Sequence, residues 1–232
     1  FITLFFVGGV YDFKNSENKA SAWIELLSSA EDINSAGKII WKFQNLRLSP
    51  QTNEIHAQFV MNKPIEIEGI REEETTINVL DKTDVHIRLK SGLVEIWSGK
   101  KDLCQECIRK IAQVLFGDSK YFSKVEINDI EFEKIRSKFI EITGTKLDKL
   151  RHPHFKEIGF KGFDITASNE YLTYKRDASG KIKMLSGWIK TETSVVSVSI
   201  FRWGRIRFSF TDSVDNKSVE EVITEIEKII TE

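Results

Sequence analysis

The sequence predicts an α+β fold built from two pseudo-repeats, each an antiparallel sheet closed by an amphipathic helix. Three observations carry this expectation. Short runs alternate apolar and polar residues, the period of a strand with one buried face. Residues 103–116 and 218–230 instead space apolar residues at helical intervals, as an amphipathic stripe requires. Finally, a hairpin signal followed by such a helix closes each half, so the chain divides into residues 1–117 and 118–232.

The elements follow in order. The apolar opening Phe1 to Val10 has no basic leader and is too short to span a bilayer, so it reads as a buried strand. Ala20 to Ala30 reads as a helix behind the cap candidates Ser16 and Asn18. Strands are expected at Lys38 to Leu48, Glu54 to Met61, Pro64 to Ile70, Thr75 to Leu80, Val85 to Leu89 and Leu93 to Ser98. The acidic stretch Arg71 to Glu74 reads as a solvated loop, and Ser91-Gly92 as a tight turn. A helix from Leu103 to Phe116 ends at Gly117, the position of a C-cap glycine. In the second half, Ile130 to Ile142 reads as a helix closed by Gly144, and Lys146 to His154 as irregular. Phe160 to Ile165, Tyr171 to Lys175 and Lys181 to Leu185 read as strands. Val195 to Ile200 and Arg205 to Phe210 form a hairpin around Trp203-Gly204, followed by a helix from Ser218 to Ile230.

The two endings align residue by residue. With Gly92 set on Gly204, Val94 meets Ile206 and Ile96 meets Phe208. In the preceding strand Val85, Ile87 and Leu89 answer Val196, Val198 and Ile200. Three more residues precede the second helix, in which Cys104, Cys107, Ile108, Ile111 and Leu115 fall on Val219, Val222, Ile223, Ile226 and Ile230. A stripe that follows a hairpin packs back onto that hairpin's apolar face.

The run from Leu89 to Lys100, with its Ser91-Gly92 turn, apolar strand and Gly99-Lys100 corner before the helix to Gly117, resembles the end of one repeat of the TATA-binding protein fold. The resemblance implies a helix–strands–helix repeat used twice, and nucleic acid as the partner, DNA ahead of RNA. The second copy reads Trp203-Gly204-Arg205 and lacks the Gly-Lys corner.

Composition excludes some partners by default. Of 232 residues, 41% are hydrophobic and 30% charged, an ordinary globular balance. Lys plus Arg (34) offsets Asp plus Glu (35), so nucleic acid or an anionic membrane could be held only by a local patch. Two cysteines three residues apart make no disulfide framework; they point to a reducing, intracellular compartment, cytoplasmic or nucleoid-associated. Cys104 and Cys107 form a CxxC on the helix stripe, which favours buried packing over redox chemistry, and a pair alone cannot complete a zinc site. His152-Pro153-His154 reads as an exposed loop, because no acidic or histidine partner stands at a diagnostic spacing. The sequence holds no Gly-rich phosphate loop, no GxSxG and no HExxH. No catalytic residue, metal site or cofactor is therefore assigned, and the chain is read as a non-enzyme.

What remains is the outward face of the sheet. If Val85, Ile87 and Leu89 point at the helix, alternation sends His86, Arg88 and Lys90 the other way, joined by Glu95 and Trp97. In the second copy it exposes Ser197, Ser199 and Phe201, with Arg205, Arg207 and Ser209 across the hairpin and Arg202 and Trp203 at its tip. Cations bind phosphates, and interleaved aromatics stack on bases. The expected interface is thus Arg88, Lys90, Trp97, Phe201, Arg202, Trp203, Arg205 and Arg207. The competing expectation is a protein-interaction or scaffold module docking through Trp97, Trp188 and Trp203.

Overall fold

A computed structural model describes residues 1–7, 16–49, 53–68, 74–118, 121–151, 154–176, 179–209 and 215–231. The chain is of mixed α+β character and divides into two compact units, Ile2–Ser123 and Lys124–Glu232, the latter taking in Phe1. No described helix is long and apolar enough to cross a membrane.

In the N-terminal unit the chain runs β1 (Ile2–Val7), α1 (Ser16–Ser29), β2 (Glu31–Ile33), β3 (Ile39–Ser49), β4 (Glu54–Glu68), β5 (Glu74–Arg88), β6 (Leu93–Trp97) and α2 (Lys101–Phe116). The strands lie in the order β2-β3-β4-β5-β6-β1, every pair antiparallel. Inward residues Val85, Ile87, Leu89, Val94 and Ile96 meet Trp23 and Leu27 of α1 and Cys104, Cys107 and Ile111 of α2 in one buried cluster. Each such aliphatic side chain contributes roughly 1.5–3 kcal/mol by leaving water. Gly117 closes α2 as expected: at φ +71° its N–H donates to Gln113 O at 3.0 Å.

Four of the expected strands are in fact two long ones. β4 and β5 stay in unbroken register from Glu54↔Arg88 to Glu68↔Glu74. Their neighbours are shorter: β3 pairs β4 only as far as Met61, and β6 pairs β5 only from Asp84. The remainder is a two-stranded ribbon. Pro64 sits in it, beyond the reach of β3, where a missing N–H breaks no second ladder. Most of the expected acidic loop lies outside the described residues; Glu74 opens β5.

After β7 (Phe122–Lys124), the C-terminal unit runs α3 (Asp129–Arg136), β8 (Phe139–Asp148), β9 (Ile158–Lys161), a 3-10 turn at Ile165–Ala167, α4 (Asn169–Arg176), β10 (Lys181–Lys190), β11 (Val195–Phe201), β12 (Arg205–Ser209) and α5 (Asn216–Thr231). Its strands lie in the order β12-β11-β10-β8-β9. Three expectations are corrected. The strand expected over Phe160 to Ile165 is β9, which ends at Lys161, and Ile165 opens the 3-10 turn. The helix expected over Ile130 to Ile142 stops at Arg136, and β8 occupies the rest. Its first turn is fixed by a capping box between Asn128 and Glu131, but the β-branched run Ile140, Ile142, Thr143 and Thr145 favours a strand. Gly144 is therefore a strand residue opposite Ser186, where an added Cβ would stand 3.2 Å from Ser186 Cβ. The strand expected over Tyr171 to Lys175 is α4. There Ser168 Oγ accepts from Tyr171 N–H at 3.2 Å, an N-cap that outweighs the strand preference of Tyr171, Thr173 and Tyr174.

The aligned hairpin ends behave alike. Gly92 and Gly204 adopt φ of +70° and +69°. Val94, Ile96, Ile206 and Phe208 are all buried, as are Cys104, Cys107, Ile108 and Ile111 of α2 and Val219, Val222, Ile223 and Ile226 of α5.

Gly187 of β10 lies at a register shift, where a Cβ would fall 2.0 Å from Glu141 O and 2.9 Å from Ile142 Cα. Gly187→Ala is expected to lower stability in urea titration by about 3 kcal/mol. Gly159→Ala, whose Cβ would meet nothing closer than 3.8 Å, should stay within about 0.5 kcal/mol of wild type.

Candidate functional site

A sheet with one buried face offers its chemistry on the alternate residues. In the N-terminal unit these are Glu54, His56 and Gln58 on β4, Asp84, His86 and Arg88 on β5, and Glu95 and Trp97 on β6. The register sets His56 beside His86 and His86 beside Glu95, with Glu54 beside Arg88. Asp84 is exposed, but the centre of this face is not a solvated surface. Arg88 is 7% exposed, Glu54 4% and Glu95 0%. The Arg88 guanidinium donates through Nε to Glu95 and stands 3.1 Å, at Nη1, from Glu54 Oε1. Trp97 Nε1 donates to Glu95 Oε2 at 3.2 Å. The His86 ring lies 4.1 Å from that of His56 and 5.1 Å from that of Trp97, centroid to centroid.

Arg88 and Trp97 thus hold a buried polar network instead of a solvated sheet face. Charge balance explains the arrangement: a buried carboxylate is costly without a partner, and one guanidinium serves two of them. Burial alone would raise the Glu54 carboxyl. The bond to His56 and the nearby Arg88, His56 and His86 outweigh it and hold Glu54 below the ordinary carboxylate range. Lys90 is exposed in the β5–β6 turn.

The C-terminal unit presents a different surface. Cross-strand neighbours form rows on the outward face: Gly159, Lys146, Met184 and Phe201; Lys161, Gly144, Ser186, Ser199 and Arg207; and Glu141, Trp188, Ser197 and Ser209. The middle row is a trough of small residues, its floor tied by the Ser186 Oγ to Ser199 Oγ bond of 2.8 Å. Larger side chains stand along both sides. Phe201 packs against Trp203 at 5.2 Å between centroids, and Lys183 Nζ lies 5.9 Å over the Trp203 ring. The guanidinium carbons of Arg205 and Arg207 lie 4.0 and 5.5 Å from the Phe1 ring centre. Phe201 thus pairs with Trp203, while Arg205 and Arg207 share the Phe1 ring.

Arg202 does not join them. Its Nε donates to Ile182 O at 2.6 Å, its Nη1 to Ile127 O at 3.1 Å, and its Nη2 to Asp129. It fastens the start of α3 to the β11–β12 turn. Of the other expectations, Cys104 and Cys107 are buried thiols, and burial pushes the Cys107 thiol well up. His154 is exposed, and His152 lies outside the described residues.

No protein-family model matches the chain, and no curated protein sequence matches it.

Two outcomes follow. Arg202→Met leaves two carbonyls and Asp129 without their donor and is expected to cost about 2–3 kcal/mol by chemical denaturation. Glu54, with its folded value depressed, adds stability above the ordinary carboxylate range and loses it as pH falls through that lowered value. The stability gap between wild type and Glu54→Gln should therefore be full near neutrality and shrink below about pH 4, in denaturant titrations across pH.

Proposed function

We propose that this chain is a non-enzymatic nucleic-acid-binding module that receives its ligand, DNA ahead of RNA, on the outward sheet face of the C-terminal unit. The observation that carries this reading is the trough of Gly144, Ser186 and Ser199 bordered by cations and aromatics. Small residues let a sugar–phosphate backbone approach the sheet. Hydroxyls and the Arg205 and Arg207 guanidinium groups suit phosphate oxygens, and the Phe201–Trp203 pair suits base stacking. The N-terminal unit's outward face suits this ligand less, because its Arg88 is already held by Glu54 and Glu95.

A TATA-binding-protein-like repeat is part of the proposal. The N-terminal unit opens with β1 and then runs α1, β2–β6 and α2, and the C-terminal unit runs α3, β8–β12 and α5. The matched φ of Gly92 and Gly204 and the matched burial of the closing helices support it. The C-terminal unit departs by inserting the 3-10 turn and α4 between β9 and β10. The buried thiols of Cys104 and Cys107 are in keeping with an intracellular protein.

The test is fluorescence anisotropy with single- and double-stranded oligonucleotides at about 50 and 200 mM salt. Binding should weaken steeply between the two. Arg205→Glu with Arg207→Glu should reduce affinity at least about tenfold, and Trp203→Ala by about five- to a hundredfold on single strands, with unchanged circular dichroism. Equal affinity in wild type and the arginine double variant would sink the reading and favour a protein partner docking through Trp188 and Trp203, the latter 39% exposed.

A further inference from the structure

We infer that Glu54, His56 and His86 form a binding site for a first-row divalent transition-metal ion, with Zn2+ as its simplest occupant. The inference is independent of the nucleic-acid reading. One nitrogen from each imidazole and one carboxylate oxygen lie within 4.8 Å of one another. Metal–nitrogen and metal–oxygen bonds of about 2.0–2.2 Å set ligand atoms roughly 3–4 Å apart, so side-chain adjustments of about an ångström close the set around an ion. Two imidazoles and one carboxylate, with the remaining positions left to water, are the donors that such ions prefer over magnesium or calcium.

The surroundings fit a ligand set. Three donors on two hydrogen-bonded strands, at Glu54, His56 and the directly opposed His86, sit on a rigid part of the fold. Arg88 Nη1 holds Glu54 Oε1 at 3.1 Å, which leaves Oε2, 3.4 Å from His56 Nε2, as the coordinating oxygen. Glu95 Oε2 stands 3.7 Å from His86 Nδ1, a carboxylate beside the imidazole of the kind that steadies metal-binding histidines. Glu95 is itself held by Arg88 and Trp97. The side chains of His56 and His86 remain 21% and 13% exposed, which leaves the site a path to solvent.

The test uses the whole chain, stripped with chelator and dialysed, then titrated with Zn2+ against a chromophoric competitor and with Co2+ followed by its visible absorption. Wild type is expected to bind one ion per chain. His56→Ala with His86→Ala should lose binding and the cobalt bands, and Glu95→Gln should weaken binding about 10–100-fold. His154→Ala, at an exposed histidine elsewhere, should bind as wild type. Circular dichroism confirms that each variant is folded; should the double alanine variant not fold, His56→Gln and His86→Gln singly take its place, each expected to weaken binding at least tenfold. No stoichiometric binding by wild type, or binding that survives loss of both histidines, overturns the site and identifies the cluster as a network that holds protons alone.

Discussion

A strand can hide only every second side chain, and both units are organised by that constraint. Apolar residues at alternate positions of β5, β6, β11 and β12 are buried, and so are the stripes of α2 and α5. In the N-terminal unit this inner layer is a continuous cluster of strand and helix residues. The outward residues then have a fixed direction and fixed neighbours across the ladder. A slip of one residue in any pair would turn the whole set over.

Because cross-strand neighbours are dictated this way, each outward face is a short list of forced encounters, and their chemistry differs between units. In the N-terminal unit carboxylates, imidazoles and one guanidinium meet and settle into mutual hydrogen bonds. In the C-terminal unit glycine and serine meet serine and arginine, which leaves space above the sheet. Large aromatics mark the limits of both, Trp97 in one and Trp188 and Trp203 in the other.

Much of this was legible in the sequence where periodicity was long and capped. The helix ending at Gly117, the Gly92 and Gly204 turns and the inward positions of four strands follow from apolar spacing and from glycine's access to positive φ. Errors arose where local preference was ambiguous. Tyr171, Thr173 and Tyr174 favour strands, and only the Ser168 hydroxyl tips them into α4. Phe139, Ile140 and Ile142 continue the helical spacing of α3 by coincidence. The polar cluster was missed for another reason: Glu54-x-His56 and His86-x-Arg88 lie 30 residues apart. Nothing short of the β4–β5 register makes them neighbours. A weak signal was present all the same, since each pair stands at a two-residue interval inside an otherwise apolar alternation.

The unequal lengths of the strands have a consequence for dynamics. Near Ile55 and Ile87 the β4 and β5 backbones have strands on both flanks and a buried side chain below. Past Met61 each has, among the described residues, only the other. A lone hairpin is barely stable in water, so one pair of strands must span a wide range of opening free energies. Amide deuteration should therefore advance along this ribbon from the Glu68–Glu74 pair towards Met61, making the sheet fray by degrees instead of melting in a single step.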